Sequence, residues 1–430
     1  MGGGRIEPSA EAGKEHGFVV ENEAAPPLRL KEGLLVLGHE AEGAGAANRG
    51  GGEVLLGSRF DDAVLKTEPY RFVTAICSDT ARLRDLRARL GEAGFWSERS
   101  DDFFSHSEAR LYPHNSDGFG WLVQDSCLRS VQRFVEDCFG VPLAPDMEIV
   151  AQRMDPGNHS GFHNDSPRLG WETHRLNLYL NDDWEVDRGG RLQIASKMSG
   201  DIVSRFVEPR MGRVMAFEAS PNSYHAIEPV RSGERFSILY MFWHAANAPG
   251  VARAIDSMIR ESRSAWRPKV AERYGALTGL LQSSGAGEIP HGTSNLMDHL
   301  LDTSCLLLAW GLPEHVALAA LVQGIDDDYL DEAGLSSLGL DPALGSRAAA
   351  LEDESERAAL RLANLLASAP HVPFSHARWV ERKRDFGGGP DLPSEPARRA
   401  ARLLFDHGGE DGGPVRANQP GRRDVEPAVT

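Results

Sequence analysis

Short strand-like runs of apolar residues fill the chain between residues 146 and 244. In 174–181, for example, leucines alternate with polar residues, the period of two expected for a strand with one buried face. The eight runs lie at 146–154, 160–165, 174–181, 190–196, 202–208, 213–218, 223–231 and 235–243. Turn-forming segments such as Asp-Pro-Gly-Asn at 155–158 separate them. Eight short strands predict an all-β double-stranded β-helix, or jelly roll.

Helical signals precede this predicted barrel. Residues 72–76 are typical of a strand, and Ser-Asp-Thr at 78–80 is a capping signal for a helix with one face of leucines. A second helix is predicted at about 125–139, where Gly140 ends it. We expect the apolar faces of both helices to belong to the core.

After Trp243 the apolar period becomes helical. Between residues 291 and 324, leucine and valine recur at spacings of three and four, with a break at Gly-Leu-Pro 311–313. We therefore expect a C-terminal α-helical domain from about 250 to 407. It would serve for packing, dimerisation or substrate docking.

The length of 430 residues is enough for two or three domains. Both ends of the chain are rich in glycine and small or charged residues, which favours disorder there. The predicted organisation is a disordered leader at 1–64, a catalytic domain at 68–247, the helical domain at 250–407 and a disordered tail at 408–430.

Charge and cysteine content exclude several classes of partner. The net charge of −17 opposes a nucleic-acid substrate, such as that of a demethylase, because a phosphate backbone is bound by clustered Lys and Arg. The 4 cysteines contain no Cys-x-x-Cys pair, which indicates reduced thiols. No apolar run approaches the ~18 residues of a membrane span. We expect a cytoplasmic protein with neither a nucleic-acid nor a membrane partner.

The pair His163 and Asp165, followed by His225, carries the candidate chemistry. Two imidazoles and one carboxylate form the facial triad that holds Fe(II) and leaves positions open for a cosubstrate and O2. The chain has 15 histidines, so one His-x-Asp pair is expected by chance about once. On a strand His163 and Asp165 would share a face, and His225 can join them only if the fold brings a distant strand alongside.

Other polar residues are placed to complete a pocket. Arg235 and Ser237 share one face of the eighth run, and a guanidinium beside a hydroxyl suits the far carboxylate of a dicarboxylic acid. Asn177 and Tyr179 also share a face, so we expect both to point inward. Arg153 is a candidate contact for an acidic substrate, and a salt bridge at the barrel mouth is the equal alternative.

These residues resemble the Fe(II)- and 2-oxoglutarate-dependent dioxygenases, and within them the prolyl 4-hydroxylase-like branch. The resemblance covers about 146–244. It is greatest to the HIF prolyl hydroxylases in the turn at 155–158, Tyr-Leu-Asn-Asp-Asp-Trp at 179–184, Gly189-Gly190, Glu208-Pro209, Val-Met-Ala-Phe at 214–217, His225 and Arg235.

The resemblance implies roles for individual residues. His163, Asp165 and His225 would bind Fe(II), Arg235 would bind the C5 carboxylate of 2-oxoglutarate, and Tyr179 would add a hydroxyl to it. The cosubstrates would be 2-oxoglutarate and O2, with ascorbate as a candidate reductant. Succinate and CO2 would be coproducts of hydroxylation at an unactivated C–H bond. Halogenation is disfavoured, because related halogenases have a small residue in place of Asp165.

The substrate is open among several classes. An amino acid, a peptide or a natural-product intermediate is the first expectation, and a proline of a protein substrate is an alternative. Where the HIF hydroxylases have a tyrosine before the Pro-Gly-Asn turn, this chain has Asp155, so the resemblance does not extend to the substrate side. A non-catalytic iron- or oxygen-responsive binding module is a further alternative. The intact triad beside Arg235 favours the enzyme.

The helical domain contains a second histidine pair. His291 and His299 resemble the first part of an HD-type helical metal domain, but Gln323-Gly324 stands where its His-Asp pair would be sought. Two histidines alone cannot hold a catalytic metal, and Asp-Asp-Asp at 326–328 is best explained as a solvated turn. We expect no phosphohydrolase here, and the C-terminal helices are candidates for a homodimer interface.

Overall fold

The computed structural model describes residues 56–101, 103–113, 119–197, 203–322, 336, 341–386 and 392–406. Three features of the sequence analysis lie outside these residues: most of the leader at 1–64, the segments at 323–324 and 326–328, and the tail from 408.

The described residues form strands and helices in the predicted order. The strands are β1 (Phe60–Lys66), β2 (Phe72–Cys77), β3 (Ser97–Ser100), β4 (Ser105–Tyr112), β5 (Leu143–Met154), β6 (Ser160–His163), β7 (His174–Tyr179), β8 (Leu192–Ala195), β9 (Val203–Val207), β10 (Arg213–Glu218), β11 (His225–Ile227), β12 (Arg235–His244), β13 (Pro290–His291) and β14 (Ser294–Asn295). The α-helices are α1 (Thr80–Glu92), α2 (Asp125–Phe139), α3 (Pro249–Arg273), α4 (Gly275–Ser283), α5 (Leu296–Ala309), α6 (Glu314–Val322), α7 (Pro342–Ala349), α8 (Glu354–Ser368), α9 (His376–Phe386) and α10 (Glu395–Phe405).

Two antiparallel sheets make the barrel. The major sheet has the order β1-β2-β10-β7-β12-β5-β4-β3, and the minor sheet has the order β6-β11-β8-β9. Strands β5, β7, β10 and β12 lie in the major sheet, and β6, β8, β9 and β11 lie in the minor sheet. This distribution of eight successive strands is that of a double-stranded β-helix. The predicted jelly roll is confirmed.

The boundaries differ from the prediction at both ends of the barrel. The predicted leader extended to residue 64, but Leu56 and Phe60 are buried and β1 pairs with β2. The β3–β4 hairpin at 97–112 was not predicted, because β3 is exposed along its length and has no apolar face. Strand β6 ends at His163, two residues before the predicted end.

The core explains which face of β12 points into the barrel. Phe236, Ile238 and Tyr240 are fully buried in a layer with the leucines of α1 and the valines of α2. Burial of each such side chain contributes about 1.5–3 kcal/mol. The alternate residues Arg235 and Ser237 therefore face the inside of the barrel.

The C-terminal helices pack around α5, with α3, α6 and α8 as its neighbours. Their leucines and alanines form a separate hydrophobic cluster. The helical region contacts the chain that follows the His-x-Asp motif, because the Phe374 amide donates to the Pro167 carbonyl at 2.9 Å. Within the described residues no helix is both long and apolar enough to cross a membrane.

Candidate metal centre

The two histidines of the candidate triad lie on adjacent strands of the minor sheet. His163 ends β6 and His225 begins β11, and the two residues are register partners. Directly opposed residues of an antiparallel pair point to the same face. The ring centroids are consequently only 4.2 Å apart, inside the barrel.

Asp165 reaches the same place by a turn. Its φ of 46° is left-handed, so the strand period that would place it beside His163 does not apply. Aspartate tolerates this conformation better than most residues. Its Oδ1 lies 3.6 Å from His163 Nε2 and its Oδ2 lies 3.3 Å from His225 Nε2. Among the described residues, this is the one group of three with ligand atoms all within 4.8 Å of one another.

Backbone carbonyls orient both imidazoles. His163 Nδ1 donates to the Gly161 carbonyl at 2.9 Å, and His225 Nδ1 donates to the Ser223 carbonyl at 2.8 Å. A proton on Nδ1 leaves Nε2 with its lone pair, directed toward Asp165. This is the arrangement in which a second partner fixes the tautomer of a metal-binding histidine.

The electrostatics of the group suit a divalent cation. Burial, reinforced by His225, lowers the pKa of His163 to about 4. Burial alone would raise the pKa of Asp165, but the Arg175 guanidinium and the two imidazoles outweigh it and hold that pKa well below its usual range. A neutral imidazole and an ionised carboxylate are the protonation states that a metal requires.

One oxygen of this carboxylate is poorly satisfied. Asp165 Oδ2 is buried without an aligned hydrogen bond from the described residues, although Arg175 Nη1 lies 2.7 Å away as an ion pair. A buried polar atom in this condition is costly unless a ligand completes it. The donor set of two Nε2 atoms and a carboxylate therefore fits Fe(II).

A second polar group lies deeper in the same cavity. Arg235 is 1% exposed; its Nε donates to the Gly190 carbonyl at 2.8 Å, and its Nη1 lies 3.4 Å from Ser237 Oγ. No acidic side chain among the described residues pairs with it, and burial lowers its pKa. The Tyr179 ring is 5.2 Å from this guanidinium, and the Tyr179 hydroxyl is buried with no hydrogen-bond partner in the described part of the chain. An unpaired buried cation beside a free hydroxyl fits a carboxylate ligand.

A cavity of about 520 Å³ joins the two groups. Its volume is within the range of ligand-binding sites, about 300–1,000 Å³. The triad, Arg235, Ser237, Tyr179 and Asn177 all line it. The structure thus brings the predicted metal and cosubstrate residues to one place.

Arg153 is the site candidate that the structure places elsewhere. Its neighbour Gln152 lines the cavity, so Arg153 takes the opposite face of β5. There its guanidinium lies 5.4 Å from the Trp96 ring and 3.4 Å from the Asp155 carboxylate. This placement corresponds to the salt-bridge alternative.

Two cavity residues escaped the sequence analysis. Arg175 shares the inward face of β7 with Asn177 and Tyr179, so the period of two was a signal that could have found it. Phe103, in the unpredicted hairpin, lies edge-on to His163 with centroids 5.6 Å apart. A Cβ at Gly161 would approach the Phe103 ring to 2.7 Å, which shows how closely the hairpin covers the metal-binding strand.

Comparison with protein families agrees with this geometry. Residues 149–243, which contain the triad and Arg235, match the model of the 2OG-Fe(II) oxygenase superfamily. Residues 280–329 match a model described as a domain of unknown function, DUF6817. The search of curated proteins gave no significant match.

Several solved structures share a partial likeness. A Pseudomonas putida prolyl-4-hydroxylase has 19% identity and a TM-score of 0.36, over 44% of this chain and 100% of its own. A Trichoplax adhaerens prolyl hydroxylase in complex with a hypoxia inducible factor peptide has 16% identity and a TM-score of 0.34, over 40% of this chain and 83% of its own. An oxidoreductase of the 2OG-Fe(II) oxygenase family from Burkholderia pseudomallei has 16% identity and a TM-score of 0.32, over 41% of this chain and 87% of its own.

Proposed function

We propose that this chain, in which residues 149–243 belong to the 2OG-Fe(II) oxygenase superfamily, is a dioxygenase that hydroxylates an unactivated C–H bond. The substrate would be an amino acid, a peptide or a natural-product intermediate, and succinate and CO2 would be coproducts. The observation that carries the proposal is a complete ligand triad in one cavity with an unpaired buried arginine.

In this proposal His163, Asp165 and His225 hold Fe(II). Bound Fe(II), together with 2-oxoglutarate and O2, supplies the oxidising chemistry for C–H hydroxylation. The Nε2 atoms of both imidazoles are available because their Nδ1 protons are engaged by backbone carbonyls. Asp165 occupies the position that is small in halogenases, so hydroxylation is the favoured outcome.

Arg235, Ser237 and Tyr179 bind the C5 carboxylate of 2-oxoglutarate. The guanidinium of Arg235 is already fixed by the Gly190 carbonyl, so little side-chain entropy is lost when a carboxylate binds. Burial raises the pKa of Tyr179, although the Arg235 charge opposes that shift, so the hydroxyl keeps its proton and can donate. Strand β12 provides the charge and β7 provides the hydroxyl.

The substrate enters at the other end of the cavity. Phe103 lies beside His163 there, and Leu239 and Met241 add apolar surface to the wall. These side chains exclude water from the position where a C–H bond must approach the metal. Glu148 and Arg110 also line the cavity and are candidates for contacts with a polar substrate.

Prolyl hydroxylation of a protein remains the second candidate substrate class. Asp155, which replaces a tyrosine of the HIF hydroxylases, pairs with Arg153 and is absent from the cavity lining. Nothing at this position therefore selects proline. Ascorbate as reductant and a homodimer through the C-terminal helices also remain predictions.

Succinate formation tests the proposal. The full chain would be incubated with Fe(II), 2-oxoglutarate and O2, with and without panels of amino acids and peptides. We expect Fe(II)-dependent binding of 2-oxoglutarate and succinate release that one substrate class increases. Binding without succinate release from any member would favour the non-catalytic module. Absence of Fe(II)-dependent binding would overturn the assignment of the site.

A further inference from the structure

We propose that Arg175 is the positioning residue of the metal centre, holding the Asp165 carboxylate in the orientation from which it binds a divalent cation. The inference rests on the proposed function of the triad. It adds an interaction that the position of His163, Asp165 and His225 alone does not supply.

The need for such a residue follows from where the three ligands lie. His163 and His225 are fixed by strand pairing and by their carbonyl partners. Asp165 has neither, because β6 ends at His163 and the chain then turns through a left-handed residue. Its carboxylate must be oriented by another side chain.

Arg175 is built into the sheet at the position that can do this. It lies on β7, its side chain is only 16% exposed, and its Nη1 is 2.7 Å from Asp165 Oδ2. Its Nη2 donates to the Glu172 carboxylate. The planar guanidinium thus bridges two carboxylates and ties both ends of the segment 165–172 to a central strand.

The charge of the bridge decides the sign of its effect. A lone guanidinium beside a cation site would repel the metal. Glu172 neutralises that charge, so the bridge is close to neutral and the triad keeps the negative charge of Asp165. We therefore expect the orienting effect to dominate. Outer contacts of this kind typically change metal affinity by about 10–100-fold.

Strand β7 also separates this role from cosubstrate binding. Tyr179, Asn177 and Arg175 face the cavity in succession, and each step of two residues advances about 6.8 Å. Tyr179 lies beside Arg235, whereas Arg175 contacts Asp165. A substitution at Arg175 should consequently affect the metal end of the cavity and spare the carboxylate-binding end.

The test uses Arg175→Met and Arg175→Lys in the full chain, with Arg110→Met as the matched control. Arg110 lines the same cavity, so its substitution removes an equal charge without touching Asp165. The Kd for Mn(II), a spectroscopic substitute for Fe(II), would be measured by titration without 2-oxoglutarate. We expect Arg175→Met to raise it about 10–100-fold, Arg175→Lys to raise it less, and Arg110→Met to leave it unchanged.

A second measurement separates positioning from general structural damage. At saturating Mn(II), Arg175→Met should bind 2-oxoglutarate with an affinity close to that of the parent. A parent-like Mn(II) Kd in Arg175→Met, or an equal loss of Mn(II) and 2-oxoglutarate affinity, would overturn the proposal. If Arg175→Met does not fold, Glu172→Gln serves instead; it should raise the Mn(II) Kd by a smaller factor, and an unchanged Kd would contradict the proposal.

The parent chain and His163→Ala show whether the proposed function itself has failed. A parent that binds no Mn(II), or a His163→Ala variant that binds it as the parent does, would mean that the triad is not a metal site. A parent with normal binding and an Arg175→Met variant with the same Kd would reject only the positioning role.

Discussion

Two buried histidine pairs in this molecule have almost the same separation and different chemical surroundings. The centroids of His163 and His225 are 4.2 Å apart in the barrel, and those of His291 and His299 are 4.1 Å apart in the helical region. Burial, followed by the neighbouring imidazole, lowers the pKa of both His163 and His299 to about 4. Proximity and a low pKa therefore do not distinguish the pairs.

Their remaining partners do. The barrel pair has Asp165 within 3.6 Å of both rings and an open cavity in front of it. In the helical pair, His291 Nε2 is 3.1 Å from Ser368 Oγ, and the same oxygen is 3.5 Å from His299 Nδ1. A hydroxyl satisfies ring nitrogens without adding negative charge. The difference indicates that the carboxylate turns a histidine pair into a metal centre.

The largest effect should come from the triad itself. His163→Ala, Asp165→Ala or His225→Ala is expected to abolish metal binding and turnover and leave the barrel folded, because the ligands line a cavity. His291→Ala and His299→Ala are the matched controls and should retain both. Calorimetric titration with Mn(II) and succinate assays would measure this. Full activity in a triad variant, or loss of metal binding in either control, would break the comparison.

Arg235 should give the next largest effect. Arg235→Ala leaves the cosubstrate carboxylate without its cation in a poorly solvated pocket. We expect the KM for 2-oxoglutarate to rise about tenfold or more, since each ~1.4 kcal/mol is a factor of ten. Arg235→Lys should recover part of this, because it restores the charge without the fork. Arg153→Ala, outside the cavity, is the control; an equal rise there would contradict the assignment.

Much of the barrel could be predicted from the sequence, for a physical reason. The strands β5 to β12 lie within a closed sandwich, where one-sided burial leaves an alternating pattern. The exposed strand β3 and the largely exposed β1 have no such pattern. Sequence analysis therefore missed the former and placed most of the latter in the leader.

The site shows a similar division. Residues that lie on regular strands, such as Arg235, Ser237 and Tyr179, take the faces that the period predicts. Asp165 reaches the triad through a left-handed turn, which no strand period can describe. Its contact with Arg175 depends on how far one side chain extends across the cavity, and sequence spacing does not contain that distance.

The helical pair offers a smaller effect, on stability instead of activity. His299 has a folded pKa of about 4, against about 6.5 for an unfolded histidine, so the unfolded chain binds the extra proton between these values. Its contribution to stability is complete above about pH 6.5 and is lost as the pH falls toward 4, by up to about 3 kcal/mol. In His299→Gln, the free energy of unfolding from urea titrations should decline less over this range. An unchanged pH dependence would show that burial does not keep His299 neutral.

Tyr179→Phe should have the smallest effect and is the most specific probe of the barrel cavity. The substitution keeps the ring beside Arg235 and removes only a buried hydroxyl that has no partner in the described part of the chain. Deleting an unpaired hydroxyl should not destabilise the protein without ligand. With 2-oxoglutarate bound, one hydrogen bond of about 0.5–1.5 kcal/mol is lost, so the KM should rise by about two- to tenfold. An unchanged KM, with an unchanged melting temperature, would mean that the hydroxyl does not reach the cosubstrate and that Arg235 and Ser237 bind the carboxylate without it.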